Sequence, residues 1–264
     1  MKMDLTITPF IDRDDSKEKG LKAIKSYIPD RFNRYYDPFV GGGSLFFDLK
    51  PLYSVIGDID ENLIYVYELV RDDPKQLMEI LQHFEDSYNK LETKEERAKE
   101  FKKHSANFQR EYYSNRKLPF FAATNIFLSN VARTPYYTKT IIRPPSSLPE
   151  KIKLYDEENI LKASKLLSVT DIYAQHYTYT INKIEKNDFI FLDPPMLNRQ
   201  YNGFDLKNYA SFLKSVKKID RFNALFLLLI ERKEELKSLF KDFNLHTIWV
   251  DNKYNCNMYA VTNY

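Results

Sequence analysis

Three of the chain's six glycines stand side by side, at Gly41-Gly42-Gly43, directly after Tyr35-Tyr36-Asp37-Pro38-Phe39-Val40. A sequence this sparing with glycine places them where the backbone must bend, or approach a ligand, in a way a side chain forbids. The element in front of the triplet is a short, bulky run that ends at an acid. That arrangement recurs: Tyr53-Ser54-Val55-Ile56 runs into Gly57-Asp58, and Phe189-Ile190-Phe191-Leu192 runs into Asp193-Pro194-Pro195-Met196. Residues Ala224 to Ile230 form another apolar run, and the tail from Met258 to Tyr264 reads as a final edge strand. Helical spacing fills the gaps. Leu21, Ile24 and Tyr27 are spaced for one helix, and Leu63, Tyr67 and Val70 for another that Asp60 can cap. Strands alternating with helices predict an α/β fold with a doubly wound, mainly parallel sheet, whose strand ends are the place for ligands.

The pattern changes over residues 74–149, where a highly charged helical stretch precedes the apolar run Phe120 to Leu128 and a basic, aromatic loop. This segment is expected to be a mostly helical lobe inserted between two parts, 1–73 and 150–264, of one sheet domain. With 43% hydrophobic and 29% charged residues the chain reads as soluble and globular. No apolar run approaches the roughly 18–20 residues that cross a bilayer, so no membrane association is expected. The polar start Met1 to Thr6 shows no signal core. The lone Cys256 excludes an internal disulfide framework and fits a reducing, cytoplasmic setting. One cysteine and four scattered histidines give no metal-ligand spacing. A net charge of +3 does not by itself announce a nucleic-acid partner.

The glycine turn is neither the dinucleotide G-x-G-x-x-G nor a P-loop, which needs a lysine that is missing here. It is either a tight turn or a place where bare backbone meets a ligand. Asp58 follows the next strand about twenty residues on, where an acid accepts hydrogen bonds from ribose hydroxyls. Alone it reads equally as a helix cap; beside the glycine turn it favours a cofactor containing adenosine. In Asp193-Pro194-Pro195 the prolines fix the backbone and remove two donors. The segment either ends a strand or aims a carboxylate and the Pro194 carbonyl at an exocyclic amine. Lys17 taken alone is a solvated helix charge.

In order and wording these motifs resemble the Dam-like DNA adenine methyltransferases, over almost the whole chain. Pro9-Phe10-Ile11 with Lys17, Leu21, Ile24 and Ile28-Pro29 looks like that family's opening motif. Asp37 to Leu45 resembles its cofactor turn, Gly57-Asp58-Ile59-Asp60 to Ile64 its ribose strand, and Asn187 to Pro195 its catalytic strand. The resemblance implies a class I methyltransferase with a Rossmann-like mixed sheet. It implies S-adenosylmethionine as methyl donor and an adenine flipped out of double-stranded DNA, methylated on its exocyclic amine. Carried over, Phe10, Lys17, Asp37, Phe39, Gly41, Gly42, Gly43, Asp58 and Ile59 hold the cofactor, with His176 and Tyr177 near its adenine. Asp193, Pro194, Pro195 and Met196 form the catalytic segment, and the inserted lobe recognises DNA.

Four departures stand out. Met196 occupies the place of an aromatic that stacks on the flipped base, an interaction worth roughly 1–3 kcal/mol of which a thioether recovers only part. Arg13, Asp14, Asp15 and Ser16 replace a tryptophan and paired glycines before Lys17. An acid often found upstream of the catalytic strand gives way to His176-Tyr177, and the family's recognition hairpin is not visible. The alternative reading is therefore a catalytically silent descendant that binds DNA or a partner subunit. For DNA contacts the sequence offers Lys117, Arg133, Tyr136, Tyr137, Lys139 and Arg143, with Lys102, Lys103, Arg110 and Arg116 as further phosphate partners or as a solvated helix face. A methyltransferase or restriction partner subunit is a possible companion.

Overall fold

A computed structural model describes residues 6–11, 21–114, 118–132, 142–197, 204–250 and 256–264. Seven strands build one sheet: β1 (Tyr35–Asp37), β2 (Ser54–Asp58), β3 (Thr170–Ala174), β4 (Phe189–Leu192), β5 (Leu225–Glu231), β6 (Asn244–Val250) and β7 (Cys256–Thr262). Their order across the sheet is β3-β2-β1-β4-β5-β7-β6. The pairs from β3 to β5 are all parallel, whereas β7 runs antiparallel to both β5 and β6. This is the expected α/β, mixed, Rossmann-like architecture. Strand order reverses between β1 and β4, so a crevice opens at the carboxyl ends of that pair.

The helices are α1 (Ser44–Leu49), α2 (Glu61–Asp72), α3 (Pro74–Asn89), α4 (Lys94–Ser114), α5 (Pro119–Ala132), α6 (Glu157–Leu167), α7 (Tyr177–Ile181), α8 (Leu206–Arg221) and α9 (Glu234–Leu239). The chain divides into two compact units. One comprises Met1–Asp14 with Asp60–Ser168, the other Asp15–Ile59 with Val169–Tyr264. The second contains the whole sheet.

Within the sheet unit, successive strand residues point to opposite faces. Tyr36, Ile190, Leu192, Phe226 and Leu228 join one buried cluster with Tyr177 and Ile181 of α7 and Tyr209, Phe212, Val216 and Ile219 of α8. The α8 positions are spaced three and four apart, one stripe of a helix. Asp205 caps that helix in a reciprocal box with Asn208. On the other face Tyr35 lies against Phe46 of α1 and Phe189, at ring distances of 6.4 and 5.9 Å.

In the helical unit Asp60 caps α2, accepting from the amides of Asn62 and Leu63, as its position predicts. Helix α5 is buried on nearly all sides. Its Phe127 meets Phe84, Tyr88 and Phe101 at about 6 Å, edge-on or tilted. His104 of α4 is enclosed in that cluster, 4.3 Å from the Phe84 ring and 4.4 Å from Phe127. Its Nε2 lies 3.2 Å from Glu100, and burial pulls its pKa down to about 4. Among the described residues no helix is long and apolar enough to cross a membrane.

Two strands were not foreseen and one was misplaced. The C-terminal strand is not an edge: Tyr259 pairs with Ile230 on one side and Thr247 on the other. The edge is β6, whose Asn-Leu-His-Thr start masks its strand character. At the opposite border β3 is half exposed and lacks an apolar run.

Candidate active site at the β1 and β4 exits

The turn after β1 is wired by its own backbone. Gly41 and Gly43 have φ of 51° and 73°, a region closed to most side chains, which accounts for two of the three glycines. The Gly43 amide donates to the Val40 carbonyl at 2.7 Å, and Gly43 N-caps α1. The turn is also tied to β2. Val40 N–H donates to the Gly57 carbonyl at 2.9 Å, and Gly41 N–H to Asp58 Oδ2 at 3.3 Å. A side chain on Gly57 would come within 3.0 Å of the Tyr173 carbonyl of β3, so this strand position is pinned from the other side. Asp37 is 2% exposed; its carboxylate accepts from the Tyr35 hydroxyl at 3.1 Å and the Phe39 amide at 3.3 Å. Asp58 is 6% exposed, whereas Ile59, the next residue, is 65% exposed at the lip of the strand.

Beside this turn, β4 leaves the sheet. Parallel register sets Tyr35 against Phe189 and Tyr36 against Ile190, so Asp37 is level with Phe191 and Asp193 lies two residues further on. Neighbouring strands are about 4.8 Å apart. The glycine turn and the Asp193 segment therefore leave the same carboxyl edge on adjacent strands. Phe189 and Phe191 are buried in the sheet, and Asp193, Pro195 and Met196 are half-buried. The prolines leave this segment few donors, and its anchors come from elsewhere. The Tyr209 hydroxyl of α8 donates to the Pro195 carbonyl at 3.0 Å. Leu197 N–H donates to Glu231 Oε2 at 2.6 Å, and Lys233 Nζ reaches the Leu197 carbonyl at 3.4 Å. Burial, then the charges of Glu231 and Asp193, push the Tyr209 phenol well above its ordinary pKa, so it stays a donor. Nothing in the sequence pointed to Tyr209, Glu231 or Lys233; only the α8 capping box and apolar stripe were signals for the helix itself.

The third wall is aromatic. Phe39 meets Tyr177, Phe212 and Phe204 at 5.4, 5.8 and 6.3 Å between ring centres. His176 caps α7, its ring 4.1 Å from that of Tyr177 and its Nδ1 2.9 Å from Thr178 Oγ1. Asp37, Phe39, Gly41 to Gly43, Asp58, Ile59, His176, Tyr177 and Asp193 to Met196 thus all belong to the sheet unit.

The remaining expected residues belong to the helical unit or fall outside the described structure. Phe10 is buried in the helical unit against Tyr67, at 5.2 Å. It lines an open cavity of about 220 Å³ with Thr8, Asn130, Tyr155, Asp156 and Asn159. Lys17 falls outside the described residues, as do Arg116, Lys117, Arg133, Tyr136, Tyr137 and Lys139. Arg143 is exposed. Lys103 and Arg110 on α4 already face acids, Glu100 at 2.9 Å and Glu111 at 3.2 Å.

Against known proteins, residues 16–253 match the model of the D12 class N6 adenine-specific DNA methyltransferases. Type II methyltransferase M1.LlaDCHI of Lactococcus lactis subsp. cremoris is 24% identical over 259 residues, 92% of this chain and 88% of the relative. Type II methyltransferase M.MjaIII of Methanocaldococcus jannaschii is 26% identical over 275 residues, 96% of this chain and 94% of the relative. Type II methyltransferase M.CviBI of Paramecium bursaria Chlorella virus NC1A is 22% identical, covering 97% of this chain and 99% of that protein.

Proposed function

The chain belongs to the D12 class N6 adenine-specific DNA methyltransferase family, and from that premise we propose that it methylates adenine in double-stranded DNA with S-adenosylmethionine as donor. It is an enzyme of DNA adenine methylation; a catalytically silent descendant is not favoured, because the family and the relatives above carry enzyme names. The observation that carries the fuller reading is the adjacency of the β1 and β4 exits at the reversal of strand order.

The residues suit the donor. Bare backbone at Gly41 to Gly43 lets a ligand approach the start of α1, and Asp58 and Ile59 stand at the end of β2 where a ribose and a purine ring are received. The Phe39, Tyr177 and His176 rings add apolar and polar wall beside it. When bound, S-adenosylmethionine supplies a methyl group activated by its sulfonium. Asp193 and the Pro194 carbonyl accept hydrogen bonds from the adenine amine, orienting its lone pair and raising its nucleophilicity. The Asp193 carboxylate also favours the cationic amine that forms as the bond to carbon develops. Met196 lies against the base in place of a stacking ring. Lys17, outside the described residues, belongs to the donor site in this reading.

Residues 74–149 are proposed as the DNA-recognition lobe, with Lys117, Arg133, Tyr136, Tyr137, Lys139 and Arg143 on the duplex. In this reading it is a cytoplasmic modification enzyme with a restriction partner. The test is incubation of the purified protein with tritiated S-adenosylmethionine and unmethylated genomic DNA, followed by mapping of modified sites. Label recovered as N6-methyladenine at one short sequence is expected. Protein that neither labels DNA nor binds the donor by calorimetry contradicts the reading. DNA affinity is expected to fall steeply with salt, and a flat response would argue against duplex contacts.

A further inference from the structure

The catalytic segment must hold its acceptors still, yet its own sequence can do little of this. Pro194 and Pro195 have no N–H, so neither can join a ladder or a turn as a donor. What the segment retains are carbonyls and the amides that follow the prolines. Those groups are met by side chains from two distant elements. Tyr209, the first buried residue of α8 and 1% exposed, donates to the Pro195 carbonyl at 3.0 Å. Glu231, the last residue of β5, accepts from Leu197 N–H at 2.6 Å through one carboxylate oxygen and pairs with Lys233 at 3.2 Å through the other. Lys233 then reaches the Leu197 carbonyl at 3.4 Å. Its backbone amide is fixed too, donating to the Glu231 carbonyl at 2.8 Å.

Met196 is thus the single residue between two anchored neighbours. On one side a neutral phenol holds a carbonyl; on the other a carboxylate and an ammonium hold both backbone groups of one residue. Hydrogen bonds to charged partners are roughly twice as strong as neutral ones. Simple strand termination needs none of this, because the chain could leave β4 into water. The anchors also sit on rigid supports, a capped helix and an interior strand, which suits them to fix position rather than merely to cover surface.

Resting on the function proposed above, we infer that Tyr209 and Glu231 are positioning residues. They hold the Asp193 to Met196 segment so that its acceptors and the Met196 side chain meet the adenine, with Lys233 orienting the Glu231 carboxylate. Neither touches the reacting atoms. Displacing a catalytic group by about 1 Å can cost a hundredfold in rate, whereas a donor held by the separate β1 turn is left in place.

The test is single-turnover methyl transfer by Tyr209→Phe and Glu231→Gln, both of which keep side-chain volume, with donor affinity measured by calorimetry on the same preparations. The methyl-transfer rate is expected to fall about tenfold in each, with the dissociation constant for S-adenosylmethionine within about twofold of wild type. A purely structural role would instead lower donor affinity and rate together. That result overturns the inference. A variant that reacts at the wild-type rate removes its residue from the role. Wild-type protein that transfers no methyl group takes down the function and this inference together, whereas active wild type with unaffected variants removes the inference alone.

Discussion

Two neighbouring strands leave the same edge of the sheet and are secured in opposite ways. The turn after β1 is held by its own main chain and by the end of β2, through left-handed glycines, the Val40 and Gly41 amides and the buried Asp58. The segment after β4 has prolines where such bonds would form, and side chains of α8 and β5 hold it from behind. The first arrangement puts residues without side chains at the strand exit; the second has prolines that supply no donors, so its Pro195 carbonyl and Leu197 amide are held by side chains. A site that must bind a donor in one place and aim an amine in another has reason to use both.

The sharpest way to break this contrast is Asp193→Ala. It should lower methyl transfer by about a thousandfold or more, the scale of losing a group that stabilises developing charge, while calorimetry still detects the donor. Equal loss of donor binding would mean that the two exits are not separate in function. Next in size is a control from the helical unit. His104 has a folded-state pKa of about 4, below its ordinary 6.5, because burial outweighs the favourable Glu100 charge, with Lys103 and His83 opposing protonation. Between those values the unfolded chain binds a proton the native one does not. The contribution of this site to stability is therefore complete above pH 6.5 and is lost as pH drops toward 4. Chemical denaturation across that range should show the slope, and His104→Leu should flatten it. Comparisons of the two exits thus belong above pH 7.

Gly43→Ala forces a side chain into φ of 73° and should destabilise by about 1–2 kcal/mol in urea unfolding. It should also weaken donor binding more than it slows the bound complex. Smallest is Met196→Tyr, which restores a stacking ring and should preserve the rate or raise it by up to about tenfold. A marked loss would show that the thioether is needed in the anchored segment.

The β1 exit was legible because it is local. Asp37, the glycines and Asp58 fall within some twenty residues, and the geometry of the turn follows from the residue types. Asp60 was legible as a cap for the same reason. Asp193-Pro194-Pro195 could be seen, but not what holds it: Tyr209 is fourteen residues from Pro195 and Glu231 thirty-four from Leu197. A tyrosine or glutamate at such distance carries no pattern until α8 and β5 are placed. The misassigned edge has a similar origin. Met258 to Thr262 looks like any last strand, and only the later pairing with β6 and β5 puts it inside the sheet.

The central claim is that the two exits share one reaction, donor at the first and adenine amine at the second. A crystal structure with S-adenosylhomocysteine and a duplex containing the mapped target sequence tests it most directly. The account predicts the cofactor product against Gly41 to Gly43, and the exocyclic nitrogen of an extruded adenine about 3 Å from both the Asp193 carboxylate and the Pro194 carbonyl. An adenine held elsewhere, or a cofactor product bound away from the β1 turn, would contradict it.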